Sequence, residues 1–470
     1  MSRPWKVVLV TSVAVFMALL DVTIVNIAFP DIRRSFPADP LADLSWILNA
    51  YNVVFAAALV PAGRLADRFG RRRFFLAGIV VFLAASVACA AAGTVIVLVI
   101  ARIVQAVGAA VLVPTSLSLV LPEFPPAKRA TATALWTATG AVAAATGPSL
   151  GGLLVDWQGW RWVFLVNLVI GLPALLPAAR LLRESKDEQA TGWPDLAGTV
   201  LLATAVAALA LAMVKGQDWG WGSARVLGGL IAFGVLTGAF TIRSTRHAAP
   251  VIDLSLFRIR SFSVANAGAF VFGVGFFAQL LNGVLFLTGV WGYSALKAGV
   301  ALTPGPIAAA VCAPVAGRLA DRFGQRVIAI PGCVLFAAGA LLLALSTATE
   351  RHYVTNYLPG LVLAGAGIGF ALPAFGSAAV AELPPARFAT GSGVAACFRQ
   401  LGAVVGIAGL VAVLGATTEP LDAARRAWVL ISVTGAVAAL TGAALGRIST
   451  RPTARATPAP GPSVDQRPAR

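Results

Sequence analysis

The chain has 470 residues, of which 58% are hydrophobic and only 12% are charged, and its mean hydropathy is +0.85. A chain of this composition has too little polar surface to cover a soluble globule, so we expect an integral membrane protein. The net charge of +17 is spread over short loops rather than gathered in one domain, which argues against a nucleic-acid-binding protein.

Long apolar segments follow one another along the whole chain. We count about fourteen, each about twenty residues long, which is the length of a membrane-spanning helix and about twice that of a barrel strand. The first continues past Asp21 to Phe29 without a small-residue cleavage pattern, so we interpret it as a retained span and not as a signal peptide. The predicted fold class is therefore an all-α membrane protein. The segments lie at residues 7–29, 45–63, 74–92, 95–115, 131–154, 162–182, 195–214, 225–242, 263–287, 299–317, 327–346, 357–377, 391–414 and 427–446.

Lys and Arg residues are unevenly distributed between the two sides of the predicted membrane. The loops on the side of the termini hold 25 of them, and the loops on the other side hold 9. Because positively charged short loops stay in the cytoplasm, we predict a multi-pass protein of a bacterial cytoplasmic (inner) membrane with both termini cytoplasmic.

Two stretches of the sequence are repeated. The segment Gly63 to Arg73, GRLADRFGRRR, returns 254 positions later as GRLADRFGQR at residues 317–326. Elements of residues 114–131 return 259 positions later, in residues 373–390. Two independent matches at nearly one offset indicate two related halves, and such repeats are one way in which secondary transporters are built.

The offset of the repeats places predicted spans 2 to 5 over spans 10 to 13 and leaves two extra helices between the halves. We therefore predict six-helix halves at residues 7–182 and 263–446, with the two inserted helices and their cytoplasmic connectors at 183–262. Residues 1–6 form a short cytoplasmic N-terminus, and residues 447–470 form a basic cytoplasmic tail that we expect to be disordered.

Few charged side chains lie inside the predicted spans. Asp21 lies in the first span, and an apolar surround favours its neutral form, so it could be protonated and charged in turn. Arg102 in the fourth span cannot lose its charge, and would bias the proton affinity of Asp21 or contact substrate. A permanent salt bridge or a helix cap is the alternative role for Asp21. Arg399, next to Gln400 in span 13, is expected near a loop or an anionic group.

The repeated segment 63–73, which we call the hinge, combines glycines, an acid and several arginines at the end of a span. We predict a cytoplasmic gate in which Asp67 and Asp321 pair with neighbouring arginines in one conformation. An ordinary positively charged anchor is the alternative. The predicted gate residues are Gly63, Asp67, Arg68, Gly70, Arg71, Asp321 and Arg322.

Predicted span 5 contains four residues that favour bending and close helix packing. Pro148 removes a backbone hydrogen bond, and Gly147, Gly151 and Gly152 allow a neighbouring helix to approach. Polar residues in other spans are candidates for a substrate cavity, although bonds between helices are their commoner use. These candidates are Asn26, Asn49, Tyr51, Asn52, Gln105, Asn167, Gln279, Asn282, Arg399 and Gln400.

Several chemistries lack their sequence motifs. There is no Gly-x4-Gly-Lys-Ser/Thr loop and no catalytic serine or cysteine arrangement, so neither a nucleotide-driven pump nor an enzyme is expected. The two histidines and four cysteines form no metal-ligand cluster. We predict a monomer without metal or cofactor, whose energy comes from a gradient if transport is active. Its expected partners are a small-molecule substrate and the lipid bilayer, with no nucleic acid.

The motifs taken together resemble those of the major facilitator superfamily. The resemblance covers residues 7–446, and the layout of six, two and six helices is similar to the fourteen-span drug:proton antiporter branch, the EmrB/QacA type. Its motifs here are the hinge, Arg102-x2-Gln105-x2-Gly108, Gly147-Pro148-x2-Gly151-Gly152, Leu20-Asp21-x-Thr23-Ile24-Val25-Asn26, WRWVFLVN at 160–167 and DLSLFR at 253–258.

The resemblance implies export of a hydrophobic drug or metabolite in exchange for protons by alternating access. It places Asp21 and Arg102 in proton coupling, Asp67 in the cytoplasmic gate, and the Gly147-Pro148 segment among antiporters rather than importers. Members that handle cationic drugs often carry additional acids in the second half, and spans 9 and 10 have none. Neutral or anionic substrates are therefore favoured. A gradient-driven importer of a small solute and a non-transporting membrane sensor are the alternatives.

Overall fold

The computed structural model describes residues 2–186, 193–383 and 388–445, except the side chains of residues 126–135, 137, 138, 141, 144, 321 and 388–390. All regular structure within these ranges is helical, which confirms the predicted all-α fold class. The predicted disordered tail, residues 447–470, lies outside the described residues.

Fourteen long helices make up the described part of the chain. Each predicted apolar segment coincides with one of them to within a few residues, except segment 299–317, which is divided before Pro304 because proline has no amide hydrogen to donate. The helices are α1 (Arg3–Ser35), α2 (Trp46–Phe69), α3 (Arg71–Ala91), α4 (Val95–Val120), α5 (Pro126–Gln158), α6 (Trp162–Leu181), α7 (Leu196–Val214), α8 (Ala224–Arg246), α9 (Arg260–Gly289), α10 (Pro304–Phe323), α11 (Gln325–Ser346), α12 (Leu358–Val380), α13 (Phe388–Leu414) and α14 (Pro420–Ala444), with a short helix Ala295–Leu302 before α10.

Thirteen helical segments among the described residues are long and apolar enough to cross a membrane. The remaining predicted segment, 131–154, lies within the 33-residue helix α5. Some side chains of α5 are outside the described residues, so this helix is not among the thirteen. The count of fourteen spans therefore stays a prediction.

The first helix begins earlier than the predicted span. Residues 3–6, which were predicted as part of a cytoplasmic N-terminal segment, already belong to α1, with Pro4 in its first turn, where the missing amide hydrogen costs nothing. Arg3 anchors this extra turn through a hydrogen bond to the Leu181 carbonyl (3.0 Å) and an ion pair with Glu123 (3.3 Å).

The same helix pairings occur twice. In the first half, α1 packs on α5 and α6, α4 packs on α2 and α3, and α3 packs on α6. In the second half, α9 packs on α13 and α14, α12 packs on α10 and α11, and α11 packs on α14. Each pair in the second half is eight helices further along the chain than its counterpart. The two repeated sequence segments thus lie in two similarly packed bundles.

The inserted helices lie at one side of these bundles. Helix α7 packs on α8 and also contacts α2 and α13, one helix from each half. The halves meet directly where α2 contacts α13 and where α5 contacts the helix Ala295–Leu302 and α10. We call the end of the bundle that carries residues 63–73 the hinge end, and the end that carries loops 36–45 and 290–294 the opposite end.

Candidate functional site

The central feature of the first half is a buried cluster of charged and polar side chains. Asp21 on α1 and Arg102 on α4 are 0% and 1% exposed and form an ion pair. Gln105 lies one turn after Arg102 on the same face of α4, while Ser86 on α3 and Asn167 on α6 approach from neighbouring helices. Four helices therefore contribute to one polar site surrounded by apolar packing.

Every oxygen of the Asp21 carboxylate has a partner. Its Oδ2 accepts a hydrogen bond from Arg102 Nη1. Its Oδ1 accepts hydrogen bonds from Gln105 Nε2 at 2.9 Å and Asn167 Nδ2 at 3.3 Å. Ser86 Oγ accepts from the same two amides at 2.9 and 3.3 Å. Such bonds stabilise the charged carboxylate in a place that water does not reach.

Arg102 has further partners that do not depend on Asp21. Its Nε donates to the Ile47 carbonyl at 3.1 Å, and its Nη1 donates to Gln105 Oε1 at 2.7 Å. The guanidinium lies 4.0 Å from the centre of the Tyr51 ring, which adds a cation–π contact. If Asp21 takes up a proton, Arg102 therefore still has a carbonyl, an amide and an aromatic face around its fixed charge.

The first copy of the hinge is folded onto the end of α6 and the segment that follows it. Asp67 pairs with Arg71 (2.7 Å), and Arg71 N donates to the Ser185 carbonyl (3.0 Å). Gly70 has φ +124°, a conformation that favours glycine, and a side chain there would meet the Glu184 carboxylate at 2.7 Å. Glu184 in turn caps the start of α3.

The remaining residues of the predicted gate are less closely packed. Arg68 lies over the rings of Phe69 and Trp193, at 5.2 and 4.8 Å. Gly63 faces Pro114 of α4, which a side chain would meet at 3.4 Å. All of these contacts are made within the first half and the connector after it.

The second copy of the hinge has the same backbone but fewer contacts. Gly324 has φ +88°, and apart from its chain neighbours no described atom lies within 4 Å of where its side chain would be. Arg322 lies 5.2 Å from the ring of Phe323, and the side chain of Asp321 lies outside the described residues. Gln325 stands at the position of Arg71 and carries no charge. An ion pair like Asp67–Arg71 therefore cannot form with residue 325.

The glycines of α5 touch both α1 and the second half. A side chain at Gly147 would lie 2.0 Å from Thr23 Oγ1, and one at Gly151 would lie 2.3 Å from Ile27 Cγ2. On another face of α5, Gly152 and the carbonyl of Pro148 contact the helix Ala295–Leu302. These three glycines and the proline thus let α5 pack closely against one helix of each half.

Comparison with known proteins identifies the family. The model of the Major Facilitator Superfamily matches residues 11–407. The chain belongs to this superfamily. It is 37% identical to the multidrug resistance protein Stp of Mycobacterium tuberculosis over 87% of this chain and 76% of that protein. It is 33% identical to the tetracenomycin C resistance and export protein of Streptomyces glaucescens, over 87% and 75% of the two chains.

The fold agrees with solved transporter structures. A bacterial homologue of the human lysosomal transporter Spinster superposes with a TM-score of 0.65 at 18% identity, over 94% of this chain and 96% of that one. The family prediction is confirmed, and the chain is a multi-pass membrane protein. Members of the superfamily are carriers rather than enzymes, whereas the fourteen-span branch stays a prediction.

The polar residues predicted to line the substrate cavity of this facilitator do not come together in one place. Gln105 and Tyr51 belong to the Asp21–Arg102 cluster. Asn26 bonds within its own helix, to the Val22 carbonyl at 2.7 Å. Asn49 and Asn52 are buried on α2 with amide atoms that have no partner among the described residues. Such unpaired amides are available to a ligand or to water.

The candidates of the second half lie on α9 and α13. Gln279 is buried and its Oε1 has no partner in the described structure, while Asn282 Nδ2 donates to the Ala424 carbonyl at 3.2 Å. Gln400 is buried and Arg399 is half-buried. No hydrogen bond or ion pair joins the Arg399 guanidinium to any other described residue. An unpaired cation within a membrane-spanning helix of the facilitator is therefore available to an anion.

A large cavity of about 1230 Å³ lies at the opposite end of the facilitator, between the halves. Its wall includes Asp31, Arg33, Asp156, Asn282 and Tyr293. Among the described residues, no group of three or more His, Cys, Asp or Glu side chains could hold a metal ion.

Two residues of functional interest, Ser86 and Glu184, were not predicted as part of the site. Ser86 and Asn167 complete the Asp21 cluster, and Glu184 caps the hinge. Asn167 was predicted only as a cavity candidate, and a lone serine in an apolar helix gives no signal. Glu184 was interpreted only as part of a connector, because its partners are more than 110 positions away in the sequence.

Proposed function

We propose that this protein exports small hydrophobic or amphipathic molecules in exchange for protons, by alternating access of a site between its halves. The observation that carries the proposal is the buried Asp21–Arg102 cluster. Burying ionisable groups deep in a membrane-spanning bundle costs free energy, so such groups mark a functional site. The names of the relatives, which describe multidrug resistance and antibiotic export, support the direction of transport.

Asp21 is the proton carrier in this proposal. It is the one carboxylic acid of the cluster, and the arginine keeps its charge at all physiological pH values. The partners of Arg102 other than Asp21 hold the guanidinium in place when the carboxylate is neutral. Proton uptake and release thus change the charge of the bundle without dismantling it, which is what repeated cycling needs.

The hinge acts as a gate on the cytoplasmic side. The Asp67–Arg71 pair and the Glu184 cap hold α2, α3 and the connector in one arrangement, and their exchange for other partners would accompany opening. We place both termini in the cytoplasm and the protein in the cytoplasmic membrane, because Lys and Arg are concentrated at the hinge end. The exporter works as a monomer with no cofactor, in contact with lipid, protons and substrate, and not with nucleic acid.

The proposal is tested by dye efflux from cells that express the wild type or Asp21→Asn. Neutral, anionic and cationic dyes are compared, each with and without a proton uncoupler. We expect extrusion of at least one dye class by the wild type, its loss on addition of the uncoupler, and its loss in Asp21→Asn.

Each outcome decides a separate point. Extrusion that persists with the uncoupler present contradicts proton coupling, and accumulation instead of extrusion supports a gradient-driven importer. A protein that moves no dye, even in everted vesicles loaded from the other side, contradicts multidrug export and supports a sensor or a carrier with a narrow substrate range. Asp21→Asn is checked by size-exclusion chromatography in detergent, so that a folding defect is not taken for a defect in coupling.

A further inference from the structure

A carboxylate of the first half caps a helix of the second half. Asp156, near the end of α5, accepts hydrogen bonds from the backbone N–H groups of Ala295 (3.0 Å, to Oδ1) and Leu296 (3.1 Å, to Oδ2). These are the first two residues of the helix Ala295–Leu302, which precedes α10. The first amides of a helix have no partner in the helix itself and carry its partial positive charge, so they attract a carboxylate.

The helix Ala295–Leu302 depends on both halves for its cap. Ser294 Oγ accepts from Lys297 N at 3.3 Å, so the residue before the helix satisfies its third amide. Among the described residues, the first two amides are satisfied by Asp156 alone, which lies 139 positions before Ala295 in the chain. Both carboxylate oxygens are used, although the side chain itself is exposed. The contact is thus a charged bond between the halves, and water can solvate its groups when the bond breaks.

The surfaces beneath this bond fit without space for a side chain. A Cβ atom at Gly152 would lie 2.4 Å from the Ala295 carbonyl oxygen, and one at Gly299 would lie 2.1 Å from the Pro148 carbonyl oxygen. Two glycines, one from each half, therefore let the two backbones touch. The Asp156 bond lies at the rim of this contact and borders the cavity at the opposite end.

We infer that Asp156 is a positioning residue for transport, a catch that holds the halves together at the opposite end and must release when that end opens. The inference rests on the proposed alternating access. Another acid on the wall of the same cavity is held within one half: Asp31 accepts a hydrogen bond from Trp160 N at 3.0 Å and pairs with Arg34 at 2.9 Å. Asp156 differs from it because both of its bonds cross between the halves.

The test measures distances between spin labels at Gln158→Cys and Lys297→Cys, two exposed positions on either side of the contact, with Cys312→Ser in the background. Distances are recorded by electron–electron double resonance in lipid nanodiscs. We expect Asp156→Ala to raise the ratio of long to short distances about tenfold, the change that loss of a good helix cap produces. Asp156→Asn keeps one acceptor oxygen and should give an intermediate ratio.

Two variants make the result decisive. Asp31→Ala removes bonds on the same cavity wall within one half and should leave the distances unchanged. Gly299→Ala forces the backbones apart and should lengthen the distances whether or not Asp156 is present. Unchanged distances in Asp156→Ala overturn the catch, and so does a shift of equal size in Asp31→Ala. The measurement needs no transported substrate, so a failure of the proposed export in the efflux assay leaves this result readable on its own.

Discussion

At the scale of residues, the central feature of this facilitator is a buried ion pair with a complete set of hydrogen-bond partners. Asp21 and Arg102 are opposite charges in full burial, where each is tolerated because the other is present. The surrounding amides of Gln105 and Asn167 and the hydroxyl of Ser86 complete the hydrogen bonds of the pair. A change to Asp21 or Arg102 therefore affects both the stability of the bundle and its charge.

Asp21→Asn and a double variant separate these two effects. The single variant removes the proton-binding group, while the Ile47 carbonyl, Gln105 and Tyr51 still hold the guanidinium. We therefore expect loss of uncoupler-sensitive efflux and a loss of stability of about 1–3 kcal/mol. Asp21→Asn with Arg102→Gln removes both charges and should recover most of the stability but none of the coupled efflux. Stability is followed by thermal unfolding in detergent, and transport in proteoliposomes. Recovery of coupled transport in the double variant would show that the pair is structural alone.

At the scale of elements, side-chain caps and a tight turn at the helix ends connect neighbouring segments. Glu184 caps α3, Asp156 caps the helix Ala295–Leu302, and the hinge turns between α2 and α3 at a glycine with positive φ. Helix ends are where backbone groups remain free for such contacts. The helix interiors provide apolar packing, and the ends provide the contacts that can be exchanged during a transport cycle.

Gly70 tests the role of the hinge conformation. Gly70→Ala forces an alanine into φ +124° and displaces the Glu184 carboxylate, so we expect a loss of stability of about 1–3 kcal/mol from the strain, and more from the lost cap. Gly324→Ala has comparable strain, at φ +88°, but its side chain would displace no described residue, so the loss of stability should be smaller. Gly93→Ala, in an open position without positive φ, is the neutral control. Melting temperatures in detergent rank the three variants by stability. Equal values for Gly70→Ala and Gly324→Ala would show that the Glu184 cap contributes no stability.

At the scale of the whole molecule, the two halves are alike in packing and unlike in charge. The first half contains the buried ion pair. In the second half the acids of the described spans lie at helix ends, as Asp422 does in the first turn of α14, while Arg399 lies inside α13 without a partner in the described structure. We expect the uncompensated charge of Arg399 to favour neutral and anionic substrates.

Arg399→Gln tests this asymmetry. We expect transport of an anionic dye to fall about tenfold, which corresponds to about 1.4 kcal/mol of lost attraction, while a neutral dye changes little. Arg399→Lys keeps the charge and should retain part of the anionic transport. Arg351→Gln, an exposed arginine at the opposite end, is the matched control. An equal loss for all dye classes would assign Arg399 to folding or coupling and not to substrate charge.

The sequence by itself determined the fold class, the positions of the helices and the family. Apolar segments long enough to cross a bilayer can satisfy their backbone only as helices or closed barrels, and the lengths here decide between the two. The hinge repeat predicted related halves, and the charges in spans 1 and 4 marked Asp21 and Arg102. Each of these signals is contained in local composition or in a short motif.

Only the tertiary structure decided which residues act together. The hydrogen bonds of Asp21 join residues 81 to 146 positions apart, and the Asp156 cap joins residues 139 positions apart. Helical periodicity says which face of a helix is apolar, but it does not say which helix that face meets. Tyr51 and Gln105 were therefore grouped with a substrate cavity and instead surround the ion pair, and the roles of Ser86, Glu184 and Asp156 emerged only when the packing of the helices brought their partners within hydrogen-bond distance.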